Sequence, residues 1–225
     1  MPFRVLQAAS TRPRCKGQTR LILVRHAHSS ANTGDSSAPL CGWSDVPLTA
    51  RGWSQVFHLG QRFRESAPPA AVYSSSLRRA WNTADPLGPI EAGRVSRCPG
   101  LREISCGLLD GMPLTEVQLR FPDLWRANLR QDDMNFRWPG GESYLGFRRR
   151  CLTTVNGLAA RHRGATIVLV THAGVISQIM GYLHNANPAE WERFRPGNTG
   201  VTEIHWESRD VVVFDDRSHL PHELC

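Results

Sequence analysis

The chain is almost without lysine, and it has no hydrophobic run long enough to cross a membrane. Lys16 is the single lysine, so arginine carries the net charge of +7. The forked guanidinium of arginine suits phosphate and carboxylate groups. A genome-wide bias in base composition would equally explain why arginine replaces lysine. The apolar run 167–170 is far shorter than the roughly 20 residues of a transmembrane helix. Because the basic residues are scattered, we expect neither nucleic acid nor a membrane as partner.

The six cysteines lack the close spacing that metal sites and disulfide frameworks need. No C-x-x-C pair occurs among positions 15, 41, 98, 106, 151 and 225. We therefore predict no metal, no cofactor and a reducing cytoplasm as the location. Residues 1–19 are basic, contain no acid and have no apolar core like that of a secretory signal. An organellar transit peptide is the alternative to the disordered tail that we expect there.

The length and composition are those of one globular domain. With 225 residues, of which 40% are hydrophobic and 21% charged, the chain is long enough to bury a sizeable core. No repeat and no linker divides it. We predict a single globular domain over 20–215, preceded by the tail 1–19 and followed by a C-terminal tail at 216–225.

Continuous apolar runs mark the strands. Three of them, at 20–24, 70–74 and 165–170, are typical of strands covered on both faces, and two more strands are predicted at 201–206 and 211–214. Helical patterns separate the first three runs. Because strands alternate with helices, we predict an α/β fold, a three-layer α/β/α sandwich with a mainly parallel central sheet.

Capping residues mark the beginnings of the helices. Thr49 is a candidate N-cap for the first helix, and the serines at 74–76 are expected to cap the second. Ser143 opens the longest helix, which Gly164 ends. The segment 122–141 is predicted to be irregular, because its aromatic residues are interspersed among charges.

Histidine and arginine follow the ends of the strongest predicted strands. The first strand leads into Arg25 and His26, and the third leads into His172. The second strand passes through serines to Arg78 and Arg79 at a helix start. Ligands bind outside the carboxyl ends of the strands in such sheets. We therefore expect two imidazoles and up to three guanidinium groups to converge on one crevice.

Several arginines without a metal cluster indicate a substrate that carries negatively charged oxygens. Phosphoryl transfer needs mainly positioning and charge stabilisation. A neutral histidine is a nucleophile that needs no base. The departing alkoxide requires a proton, and Glu103 in LREISCG is the best candidate acid. Asp110 on the same loop is the alternative carboxyl group.

Six sequence blocks resemble, in the same order, those of the histidine phosphatase superfamily, in its phosphoglycerate mutase-like branch. They are LVRHAHSSAN, GWSDVPLTARG, VYSSSLRRAWNTA, LREISCGLLDG, PGGES and VTHAGV. The resemblance implies a three-layer α/β/α enzyme that forms a phosphohistidine on His26, with Glu103 as proton donor. The phosphoryl group would be held by four side chains: Arg25, Asn32, Arg79 and His172. The family pattern L-x-R-A selects Arg79, which spacing alone does not.

Three residues depart from the family pattern. Ala27 and His28 stand where the family usually has Gly and Glu, and Ala173 stands where Gly is commoner. The methyl group of Ala27 is expected to crowd the substrate. His28 would either make the mouth of the site more positive or be an ordinary surface histidine, the reading that we favour. Trp43 and Asp45 are expected to fix the loop over the site.

The resemblance also bears on whether the phosphoryl group passes to water or to a second substrate. The cofactor-dependent mutases carry a longer insertion between the positions of Glu103 and His172, and this chain lacks it. We therefore predict a metal-independent phosphatase that hydrolyses a small phosphomonoester. A phosphotransferase of the mutase type is the first alternative, and an inactive phospholigand-binding module is the second.

The stretch 125–138 is predicted to be a specificity lid. It offers aromatic faces together with the positive charge of Arg126, Arg130 and Arg137. Such a lid would suit a phosphorylated sugar, a nucleotide or a cofactor precursor, and the sequence does not choose among them. The oligomeric state is also left open, with a homodimer as one alternative.

Overall fold

A six-stranded sheet forms the centre of the molecule, a computed structural model in which residues 17–35, 37–88 and 95–225 are described. The strands are β1 (Arg20–Arg25), β2 (Ala71–Ser74), β3 (Ser96–Arg97), β4 (Thr166–Thr171), β5 (Val201–His205) and β6 (Asp210–Asp216). Their order across the sheet is β3-β2-β4-β1-β5-β6. The first four in this order run parallel, whereas β5 and β6 are antiparallel to their neighbours. The predicted mainly parallel sheet is confirmed.

Six α-helices occur in the described part of the chain. They are α1 (Ala50–Arg64), α2 (Arg78–Ala84), α3 (Leu114–Arg120), α4 (Pro122–Arg130), α5 (Tyr144–Arg161) and α6 (Ala173–Leu183). Two of the predicted N-caps act as expected. The side chain of Thr49 accepts a hydrogen bond from the Gly52 N–H at the start of α1, and that of Ser143 accepts one from the Gly146 N–H at the start of α5.

Alternate residues of β1 face opposite helical layers. Leu21 and Leu23 pack into a core cluster with side chains of α5 and α6, whereas Ile22 and Val24 pack with side chains of α1 and α2. Burial of each such side chain contributes roughly 1.5–3 kcal/mol. A strand that is apolar on both faces can be satisfied only between two layers of helices, and the three-layer sandwich follows.

Two local predictions were wrong. The N-cap of α2 is Leu77, which has no capping side chain, because Ser75 turns inward to other partners. The segment expected to be irregular contains α4. Its first turn holds Pro122 and Asp123, both favourable at a helix N-terminus, and its charges conceal an amphipathic helix.

Residues 1–16 of the expected N-terminal tail lie outside the described residues. The last ten residues, expected to be a tail, pack against α1: Leu220 is buried, and Gln55 Nε2 donates to the Leu224 carbonyl. Within the described ranges, no helix combines the length and apolar character that crossing a membrane requires.

Candidate active site

The carboxyl ends of three adjacent parallel strands meet at one edge of the sheet. Arg25 at the end of β1 is in register with Thr171 at the end of β4, and Ser74 at the end of β2 is in register with Val170. The residues that follow these strands are therefore brought together. The ring centroids of His26 and His172 lie 5.2 Å apart.

His26 is held as a neutral ring with one free nitrogen. Its Nδ1 lies 2.7 Å from the Ala27 carbonyl oxygen, which can only accept, so Nδ1 carries the proton and Nε2 carries the lone pair. Burial holds the pKa of His26 well below its usual value, and the nearby charges of Arg79 and Arg25 lower it further. The ring lines a cleft of about 390 Å³. It therefore presents an unprotonated Nε2 at neutral pH.

His172 is also buried and neutral. Burial and then Arg79 hold its pKa well below the usual value. Its Nε2 lies 2.7 Å from Ser75 Oγ, whereas its Nδ1 is buried without a partner in the described structure. When the Ser75 hydroxyl donates to Nε2, the ring proton lies at Nδ1 and has no protein acceptor. His172 itself is absent from the cleft lining and lies directly behind it, against His26 and next to Ala173. Sequence analysis missed Ser75, because only the packed fold brings β2 beside β4.

Two buried guanidinium groups flank the histidines. Arg25 donates to the Pro196 carbonyl at 2.8 Å, and its Nε is buried without a partner. Its pKa is lowered to about 10, chiefly by burial and next by the charge of Arg195. Arg79 donates to the carbonyls of Gly42 and Ser44, both at 2.8 Å. Neither arginine forms a salt bridge with a described carboxylate, so their combined positive charge is available to an anion.

The structure separates the adjacent arginines that spacing could not distinguish. Arg79 is buried in the site, whereas Arg78 is exposed and lies outside the cleft lining. Asn32 does line the cleft. Its Oδ1 accepts from Asn198 Nδ2, which also donates to the His26 carbonyl. Asn198, which sequence analysis did not single out, thus joins Asn32 to the backbone of His26.

Glu103 lines the same cleft as His26. One carboxylate oxygen accepts the Ile104 N–H at 2.9 Å, and the other accepts the Gly174 N–H at 3.0 Å. A β-carbon at Gly174 would lie 2.1 Å from Glu103 Oε1. Only glycine therefore lets the start of α6 approach the carboxylate this closely.

The alternative carboxylate, Asp110, has a different environment. It accepts the backbone N–H groups of Gly42, Trp43 and Ser44, together with the Ser44 hydroxyl, and it does not line the cleft. The same loop contacts the site, because Trp43 Nε1 donates to the Glu103 carbonyl at 2.8 Å. Asp110 is therefore a structural anchor of the loop 42–44.

Two of the three departures from the family pattern have local explanations, and the third, Ala173, lines the cleft. Ala27 is fully buried and packs with Leu48 and Val56, so the expected crowding of the cleft by its methyl group is not found. His28 is half-buried between Thr49 Oγ1 and the Asn32 carbonyl. Burial, and next the charge of Arg51, lower its pKa, so His28 adds no positive charge at neutral pH.

The predicted lid lines the cleft with aromatic groups but not with its arginines. Trp125 and Trp138 face the cleft, whereas the three predicted arginines are absent from its lining: Arg126, Arg130 and Arg137. Arg126 instead pairs with Asp123 on the exposed face of α4. A cation missed by sequence analysis, Arg195, lines the cleft from the loop before β5. No group of three potential metal ligands occurs in the described ranges.

Comparison with known proteins gives consistent matches over most of the chain. The profile of the histidine phosphatase superfamily (branch 1) matches residues 21–215. A metal-independent phosphoserine phosphatase from Arabidopsis thaliana is 28% identical over 206 residues, 90% of this chain and 83% of that protein. Phosphoglycerate mutase-like protein 4 from the same plant is 29% identical over 206 residues, 89% of this chain and 86% of that protein. The crystal structure of a phosphoserine phosphatase from Entamoeba histolytica with 3-phosphoglyceric acid superposes with a TM-score of 0.76 at 26% identity, covering 90% of this chain and 100% of that one.

Proposed function

The chain belongs to the histidine phosphatase superfamily (branch 1), and from this premise we propose that it hydrolyses a small phosphomonoester through a phosphohistidine on His26. The observation that carries the proposal is the unprotonated, unpartnered Nε2 of His26 between two arginines that have no carboxylate partner. A phosphate ester would supply the missing negative charge. The relatives named as phosphoserine phosphatases support hydrolysis of a small metabolite.

In the first step, the His26 Nε2 lone pair attacks phosphorus while the bond from phosphorus to the ester oxygen breaks. Arg25, Arg79 and the Nδ1–H of His172 donate to the phosphoryl oxygens, whose charge must be stabilised in the transition state. Asn32 completes this set through its place in the cleft. Glu103 transfers a proton to the departing alkoxide, which leaves as the alcohol.

In the second step, water attacks the phosphohistidine and the bond from phosphorus to nitrogen breaks. Glu103, now ionised, takes a proton from that water, and His26 returns to its neutral form. The reaction consumes one water and releases inorganic phosphate. Every transfer uses a side chain of this protein, so the scheme calls for no metal and no cofactor.

Trapping the intermediate tests the proposal. Brief reaction with a radiolabelled aryl phosphate should leave acid-labile, base-stable phosphate on His26, and His26→Ala should abolish both the label and turnover. His184→Ala is the matched control, because His184 is exposed at the opposite end of α6. Turnover by His26→Ala near the wild-type rate would refute the assignment.

The same experiment separates the alternatives. The relative named phosphoglycerate mutase-like protein 4 supports a mutase as the first alternative. A mutase would pass the label to 3-phosphoglycerate faster than to water. A binding module would neither label nor hydrolyse any ester. We also propose a cytoplasmic location, which is supported by the five described cysteines, all of them free thiols.

A further inference from the structure

The cleft has two unlike halves. Its charged lining residues lie at the phosphate end or at the exposed rim: Arg25, Arg79, Glu103, Glu192 and Arg195. Arg195 is exposed at the rim, and it is close enough to the phosphate end for its charge to lower the pKa of Arg25. At the rim it also pairs with Glu192 at 3.3 Å. No further charged side chain among the described residues lines the cleft.

The other half, which we call the apolar half, receives the remainder of the substrate. Six of its lining residues are large and uncharged: Ile104, Leu114, Trp125, Leu129, Trp138 and Phe147. The thiols of Cys41 and Cys106 also line the cleft. Burial raises the pKa of both thiols, so they are neutral. A carboxylate or an ammonium group placed here would lose its hydration without gaining a counter-charge.

The polar groups of the apolar half offer hydrogen-bond donors. The Tyr144 hydroxyl donates to Asn128 Oδ1, and the Nδ2 hydrogens of this amide, which lines the cleft, have no protein acceptor among the described residues. Trp191 Nε1 is buried near the Tyr144 hydroxyl but outside hydrogen-bonding geometry, and it too lacks a partner. A buried donor such as Trp191 Nε1 is normally satisfied, and Asn128 Nδ2 is open to the cleft. An acceptor atom on the ligand would satisfy them.

We propose that the substrates are phosphomonoesters whose alcohol portion is a flat, uncharged, mainly apolar body that carries a hydrogen-bond acceptor for Asn128 and Trp191. The proposal rests on the proposed phosphatase function and narrows its substrate class. The aromatic side chains that line the apolar half, among them Trp125, Trp138 and Phe147, favour a planar ring over a branched polar chain. Esters of small amino acids or hydroxy acids, such as phosphoserine and 3-phosphoglycerate, are disfavoured.

A panel of alkyl phosphates tests the substrate class. Para-acetylbenzyl phosphate supplies ring and acceptor, para-isopropylbenzyl phosphate supplies the same shape without the acceptor, and ethyl phosphate supplies neither. The acetyl compound should exceed phosphoserine and 3-phosphoglycerate in kcat/KM by on the order of 100-fold, because both polar esters bury uncompensated charge. It should exceed the isopropyl compound by about tenfold. Equal or better turnover of phosphoserine would overturn the proposal.

Variants assign the preference to particular side chains. Trp191→Phe and Asn128→Leu each remove one of the two donors, and each should lower the ratio of acetyl to isopropyl turnover from about ten toward one. Trp125→Ala should lower kcat/KM for both benzyl esters by a larger factor than for ethyl phosphate. Trp53→Ala is the matched control, since Trp53 is 51% exposed on α1 and lies outside the cleft lining.

The outcomes distinguish this inference from the proposed function. If ethyl phosphate and an aryl phosphate label His26 but neither donor variant changes the acetyl to isopropyl ratio, the phosphatase stands and the inference fails. If Asn128→Leu does not fold, Trp191→Phe carries the same test, because the ring is retained. Absence of any labelling or turnover by the wild type would instead remove the proposed function itself.

Discussion

Replacing Asp110 by asparagine should impair catalysis although Asp110 does not line the cleft. Its carboxylate accepts four hydrogen bonds from the loop 42–44. The carbonyls of Gly42 and Ser44 in that loop are the acceptors that hold Arg79. Asp110 is therefore connected to the phosphate end through one intervening loop, and loosening the loop releases both partners of the guanidinium.

The expected magnitude follows from the hydrogen bonds. Three of the four are made to Oδ1 and one, from Trp43, to Oδ2. An asparagine that keeps its oxygen at Oδ1 retains three bonds in weaker, neutral form and turns its amide toward the Trp43 N–H. Bonds to a charged acceptor are stronger by about 1 kcal/mol each, and partial solvent exposure reduces the total to about 2 kcal/mol. An energy of about 2 kcal/mol corresponds to a roughly 30-fold decrease in the equilibrium constant between the ordered and the disordered loop.

Steady-state kinetics and thermal unfolding together test this reasoning. Asp110→Asn should lower kcat/KM by about 10- to 30-fold, mainly through kcat, because Arg79 acts most strongly on the transition state. The matched control is Asp123→Asn, which removes the same charge from an exposed partner of Arg126. Wild-type kcat/KM in Asp110→Asn would refute the positioning role. A lower melting temperature with unchanged kcat would refute it equally, because Asp110 would then serve only stability.

Two further predictions concern the proton donor and the C-terminal segment. Gly174→Ala should displace Glu103, because the new methyl carbon would lie 2.1 Å from Oε1. Turnover of alkyl phosphates should then fall at least tenfold. Turnover of aryl phosphates should fall less, because their leaving groups need little protonation. Equal losses on both ester types would contradict the role of Glu103 as acid. Burial and the charge of Arg62 lower the pKa of His219 from 6.5 to about 4. Between these pH values the folded state binds fewer protons at His219 than the unfolded state does. Stability that is present above pH 6.5 is therefore lost as the pH falls toward 4. Because His219 is half-exposed, we expect a loss of about 1–2 kcal/mol, measured by urea unfolding; an identical pH dependence in His219→Gln would contradict it.

The sequence was informative where a local pattern has one structural solution. The apolar runs of β1 and β4 can be buried only between two layers, and Thr49 and Ser143 cap helices through bonds to residues three positions away. The helix α4 was missed because its helix-forming residues alternate with charges that make exposed pairs. Its apolar face becomes evident only against the aromatic cluster on which it packs.

The site residues also divide into those that the sequence predicts and those that only the fold reveals. His26 and His172 could be paired from the sequence because parallel strands end at a common edge. Ser75, Asn198 and Arg195 could not, because they reach the site from loops whose paths depend on the finished fold. Arg78 and Arg79 are adjacent, and the turn of a helix places one in solvent and the other in the site.

The two unusual residues after His26 are accommodated on the side of the loop that faces away from the cleft. The Ala27 methyl group fills space between Leu48 and Val56, while the Ala27 carbonyl fixes the His26 tautomer. That carbonyl bond is available to any residue, so a side chain at this position is limited by the small cluster behind it and not by the substrate. His28 joins Thr49 to the Asn32 carbonyl, and it therefore stabilises the loop that carries Asn32 without contributing charge. The proposed chemistry thus depends on the backbone path after His26, which these two residues preserve.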